Sequence, residues 1–297
     1  MSSSRIGGEQ RSGIALQARR TARRLLSGAG SAAVTAYRVD PAAPAAFVAH
    51  ALCQDGRILI AACPAPGEPL AIAPAGLPVE VRMDITLDAA EPGVRITAAT
   101  AHLLGTLTWI DEADTALALA SARTPACHCA ITGEDPIERI ADVSGWPGGR
   151  LGVLVADRVM LHCVTGVSGH AIGEILDLDS ESPSADAWGS QEALAAHEAV
   201  TAVGPLGLQA ICDAVRDSAV PGWVCSRRPA VGVCASLWGR TLCVDVDAHG
   251  TTLMHITSEE VVTLVVAFPH GPVAAGEVGQ VLEDLAAELL PQRLTRP

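Results

Sequence analysis

The spacing of apolar positions changes period along the chain. Ala15, Ala18, Ala22, Leu25 and Leu26 fall near helical spacing and predict a helix over 14–26, ended by Gly28 and Gly30. From there the period is two. Phe47–Cys53 and Ile58–Ala62 flank Gln54-Asp55-Gly56-Arg57, and an Asp-Gly pair between apolar runs predicts a hairpin. Val79, Val81, Met83, Ile85 and Leu87 alternate strictly with Glu80, Arg82, Asp84, Thr86 and Asp88, which describes a strand with one buried and one wet face. Pro92-Gly93 turns into a second long strand over 94–110, with a bulge expected near Gly105. Leu151–Ala156 and Val159–Val164 form a further hairpin around Asp157-Arg158. Connections this short leave no room for crossover helices, so the sheet is expected to be antiparallel.

A small, polar stretch over 177–190 marks the expected domain boundary. Beyond it the helical period returns over 194–215, broken at Gly204-Pro205 where proline removes a backbone donor. Strands are expected at 241–246, 251–256 and 261–268, then a last helix with Val278, Val281, Leu282, Leu285 and Leu289 on one face. The fold class is therefore α+β, an antiparallel split β-barrel followed by a smaller α+β domain. A disordered tail is expected over 1–12, the barrel domain over 13–180 and the C-terminal domain over 190–292.

Composition changes this picture mainly by exclusion. Of the 297 residues 49% are hydrophobic but only 3% aromatic, so the core is built of small aliphatic side chains. A net charge of −13 repels phosphate backbones and excludes a nucleic-acid partner. No apolar run approaches the ~18 residues of a spanning helix, and no membrane partner is expected. Nine cysteines, mostly inside apolar strand-like runs, behave as small hydrophobes and suit a reducing cytoplasm. Arg19-Arg20 and Arg23-Arg24 ahead of Leu25-Leu26 read as an arginine-studded surface helix rather than an export signal.

The order of elements, with the long strand pair in 79–110, resembles the pyridoxamine-phosphate-oxidase-like FMN-binding split barrel. The second half resembles the C-terminal domain of unknown function found in HugZ-like haem-utilisation proteins. The residues behind that likeness are Glu192-Ala-Leu-Ala-Ala-His197, Val244-Asp-Val-Asp-Ala-His-Gly250 and Val265-Val-Ala-Phe268-Pro269, with Thr165-Gly-Val-Ser-Gly-His-Ala171 in place of a Gly-rich turn after the barrel strands. The resemblance implies a homodimer whose barrels share an interface. It also implies one of three states: haem bound, FMN bound, or no cofactor and a protein partner. Fold likeness does not choose among them, so the site must.

A haem site needs one axial ligand beside an apolar surface. His170, among Gly166, Gly169 and Gly173, is the first choice, ahead of the strand residues His50 and His102, and Arg95 is a partner for a propionate. The family's haem-contacting histidine in a C-terminal loop has no counterpart in 291–297. An FMN phosphate would draw on Arg82, Arg95 and Thr97. The expected phosphate stretch, 58–81, holds no basic residue and carries Glu68, which disfavours FMN. Cys127-His128-Cys129 supplies too few ligands for structural zinc unless His162 or Cys163 joins it. Three readings follow: a haem- or tetrapyrrole-handling protein, an FMN-dependent oxidoreductase, or a cofactor-free dimeric interaction protein.

Overall fold

The computed structural model describes residues 3–42, 44–122, 135–178, 188 and 190–294; Cys127, His128 and Cys129 lie outside the described residues. The fold is α+β, a six-stranded antiparallel barrel followed by a separate four-stranded antiparallel sheet with helices.

The chain opens with α1 (Ser3–Leu26), whose Ala18, Ala22, Leu25 and Leu26 enter the barrel core. The segment expected as a disordered tail is helical from Ser3. Once the packed turns of 18–26 have formed the nucleus, each further residue adds a hydrogen bond at little extra cost. The barrel strands are β1 (Ser31–Thr35), β2 (Pro44–Leu52), β3 (Ile58–Cys63), β4 (Pro78–Asp88), β5 (Thr97–Trp109) and β6 (Arg150–Val155). They run in the order β4-β1-β2-β3-β6-β5, and a β4–β5 pairing closes the ring. The sheet continues from β5 into β7 (Arg158–Cys163) and β8 (Gly166–Ala171).

Strand β5 serves both the barrel ring and its extension. Its first half pairs with β7 (His102 opposite Met160) and its second half with β6 (Thr106 opposite Val155). The change of partner falls at Leu104-Gly105. A Cβ on Gly105 would stand 2.3 Å from the Val155 carbonyl oxygen, so the branch point requires glycine. The alternation read in β4 holds: Val81, Met83 and Ile85 are fully buried in the core, while Arg82 and Asp84 face outward. The segment expected as a Gly-rich turn is strand β8. Gly166 (φ +117°) makes the turn, and Gly169 lets β8 lie against Met160, whose Sδ a Cβ there would meet at 3.1 Å. Two short helices, α2 (Pro69–Ile72) and α3 (Glu112–Ser121), then α4 (Pro136–Gly145) and α5 (Ile172–Leu176), complete this part.

The second part holds α6 (Ser190–Ala202), α7 (Gly204–Arg216), β9 (Gly222–Pro229), β10 (Thr241–Asp247), β11 (Gly250–Ile256), β12 (Glu260–Ala267) and α8 (Val278–Leu294). The sheet order is β10-β11-β12-β9. Its helix-facing core joins Leu208, Ile211, Leu253, Val262, Leu264 and Leu282. Buried Cys212 and Cys243 have thiol pKa values pushed up to about 12 by burial, which leaves them inert packing groups.

The two compact units are not consecutive stretches. Residues 88–98 and 164–166 group with the second part. The cause is apolar: Val94 and Ile96 pack with Leu242, Ile256 and Val261. Glu91 is buried and its Oε1 accepts the Cys243 N–H at 2.7 Å, which satisfies a donor on edge strand β10.

Candidate functional site

The outward face of β4, β5, β7 and β8 collects the polar chemistry. Asp84 Oδ1 is 2.7 Å from His102 Nδ1, and Asp84 Oδ2 accepts the Arg82 Nε–H at 2.8 Å. A carboxylate only accepts, so His102 donates from Nδ1 and Nε2 is the ring nitrogen left for a ligand. Side-chain exposure is 43% for His102 against 27% for Asp84, so the ring stands proud of the carboxylate that orients it. His162 meets His102 edge-on with centroids 5.2 Å apart.

Apolar side chains share this outward side. Met160 lies opposite His102 in the ladder, and Leu104 two residues on is 61% exposed. Val167 on β8 is 63% exposed. Arg158 follows the same outward alternation of β7 as Met160 and His162, and has no ion-pair partner among the described residues. Among the described residues no three His, Cys, Asp or Glu side chains are placed to hold a metal ion. The arrangement offers one imidazole oriented by a carboxylate, beside the exposed apolar side chains of Leu104, Met160 and Val167.

Of the residues expected from sequence, Arg82 shares this face, bonded to Asp84. His170 points to the other side of its strand, is only 8% exposed, and its Nε2 lies 2.8 Å from Ser168 Oγ. Burial pushes its pKa below the ordinary histidine value; Glu174 opposes that, and Arg19 and Arg158 add to it. Arg95 and Thr97 both bind Asp88, at 3.0 and 2.9 Å, on the turn end of the β4–β5 hairpin. They belong to the second unit, whereas Arg82, His102 and His170 belong to the first. Three cationic or hydroxyl groups proposed from sequence for a phosphate are thus each engaged by a carboxylate. His50 is buried with Nε2 2.6 Å from the Leu25 carbonyl, and burial holds its pKa at about 4.

One cation near the expected phosphate stretch was not legible in the sequence. Arg150 on β6 donates from Nη1 to the Leu70 and Ala71 carbonyls at 2.8 and 3.2 Å, and stacks on Trp109. Its charge closes the end of α2. Asp84, Met160 and His162 were also missed as a set. The alternation of β4 and β7 puts each on the wet face, but only the ladder register brings them to His102.

No protein-family profile matches the chain, and no curated protein matches it. Among solved structures the chain is similar to one described as a heme binding protein from Mycobacterium smegmatis, with a TM-score of 0.44 and 15% identity, covering 92% of this chain and 98% of that one.

Proposed function

We propose that the protein binds haem or a related tetrapyrrole on the outward face of its barrel, with His102 Nε2 as the iron ligand. The observation that carries this is the Asp84–His102 pair, whose carboxylate fixes the tautomer and leaves Nε2 outward. Ligating histidines are commonly held this way, since the second-shell acceptor orients the ring and raises its basicity. The residues fit the group: Leu104, Met160 and Val167 give an apolar surface for a macrocycle, and Arg158 a cation for a carboxylate side chain. Bound there, the iron would supply redox or ligand-binding chemistry; the chain supplies ligand, orientation and an apolar bed. His170, favoured from sequence, would have to give up its Ser168 bond to ligate through Nε2, and its 8% exposure leaves little access to the ring.

Haemin titration followed by absorption tests this. A Soret band that saturates with the protein, persists in His170→Ala and disappears in His102→Ala is the expected result. Loss in His170→Ala alone would move the site to the inner face. No band with the unaltered protein would sink the tetrapyrrole reading.

A second reading rests on the same exposed Leu104, Met160 and Val167, which suit a second copy of the chain as cover. A homodimer through this face predicts that Leu104→Asp with Met160→Asp yields a monomer in sedimentation. An unchanged sedimentation coefficient would rule that face out. An FMN enzyme is the least supported, because Arg82, Arg95, Thr97 and Arg150 are already bonded within the chain.

A further inference from the structure

In the second unit, the connection from β9 to β10 crosses one end of the sheet. Ala230 N–H donates to the Glu259 carbonyl at 2.9 Å, Gly239 N–H to the Ile256 carbonyl at 2.7 Å, and Ile256 N–H to the Arg240 carbonyl at 2.9 Å. Val233 and Leu237 pack inward on the cluster around Leu242, Ile256 and Val261. The loop is therefore braced, yet Val231 is 89% exposed and Trp238 48% exposed. Burial of Val233 and Leu237 fixes the loop; nothing in its folding requires the other two to be apolar.

Charge singles out the same place. Arg227, Arg228 and Arg240 flank the loop, all exposed, and form no ion pair among the described residues, in a chain of net charge −13. By contrast Arg216 nearby is spent on Glu260 at 3.0 Å. Arg227 and Arg228 leave opposite faces of the end of edge strand β9, and Arg240 stands just before β10, so exposed apolar tips lie between two cationic strand ends. That suits a surface that yields around them, whereas a peptide would need a groove to lie in. Tryptophan prefers the polar–apolar boundary, and arginine can bury its stem while its head meets phosphate.

We propose that this loop is a peripheral contact for an anionic lipid surface, with Val231 and Trp238 entering the headgroup region and Arg227, Arg228 and Arg240 pairing with lipid phosphates. No helix of the described residues is long and apolar enough to cross a membrane, and this contact needs none. The repulsion of the remaining acidic surface is screened beyond about 8 Å at physiological salt, so the local patch governs contact.

Vesicle co-sedimentation with the whole chain tests it, using phosphatidylcholine alone and phosphatidylcholine with roughly one-third phosphatidylglycerol. Expected is sedimentation with the anionic vesicles only, weakened by added salt. The triple variant Arg227→Gln, Arg228→Gln, Arg240→Gln should weaken it about a hundredfold, near a factor of five per cation. Trp238→Ser should weaken it less, and in the unaltered protein brominated lipid should quench fluorescence that Trp238→Ser no longer shows. Circular dichroism checks that each variant folds, and Arg240→Gln alone gives a milder version should the triple variant not. No sedimentation with anionic vesicles, equal sedimentation of the folded variants, or binding to poly-glutamate without binding to vesicles would overturn the proposal, the last in favour of an acidic protein partner.

Discussion

His102 and His170 sit in the same extended sheet and point to opposite sides of it. On the outer side His102 is held by a carboxylate and half exposed; on the inner side His170 is held by a hydroxyl and 8% exposed. The difference is one of strand parity: the outward positions of β4 and β7 carry Arg82, Asp84, Met160 and His162, and the inward ones Val81, Met83, Val159 and Leu161. Inward imidazoles are stability elements that resist protonation, because charging them costs desolvation. An outward imidazole on an acidic partner keeps a nitrogen for something else.

Substitutions should separate the two sides, beginning with the barrel interior. Ile85→Ala should cost about 3 kcal/mol in urea unfolding while the outward geometry persists, because it leaves a cavity in a fully buried cluster. His50 should act at similar size through pH. Its pKa is lowered from 6.5 to about 4, so the fold favours the neutral ring. Its contribution is complete above pH 6.5 and is lost as pH falls through that window toward 4, amounting to about 3 kcal/mol by linkage. Urea midpoints at pH 7 and pH 4.5 should differ less in His50→Asn than in the unaltered protein; an equal difference would deny that His50 titrates on unfolding. On the outer side, Asp84→Asn should weaken haemin binding about tenfold or more by loosening the ring that it orients. An unchanged Soret titration would remove Asp84 from the site. The smallest effect expected is Ser168→Ala, about 1 kcal/mol of stability from the lost bond to His170 with no change in haemin affinity. A spectral change in Ser168→Ala would reverse the comparison.

The α+β class was legible along the chain, because periodicity follows from local geometry. The strict alternation of 79–88 named which side chains of β4 would be buried, and the Asp-Gly pair at 55–56 placed the first hairpin. Gly204-Pro205 divided the helices where α6 ends and α7 begins. Gly105 was legible as an irregularity, though not as the point where β5 trades β7 for β6. Strand β8 was not legible, since glycines at 166 and 169 signal a turn unless a neighbouring Met160 fills the space that a Cβ would need.

Which polar residues meet was set by folding and not by any one stretch of chain. Asp84 and His102 stand eighteen positions apart on two strands whose shared outward face was readable from parity, and their 2.7 Å contact depends on the β4–β5 pairing. Arg82, Arg95 and Thr97 read as free phosphate ligands along the chain, yet folding set Asp84 and Asp88 against them. Alternation is a property of one strand and is written in one stretch of sequence. Register is a property of two strands and depends on the turns, bulges and packing between them.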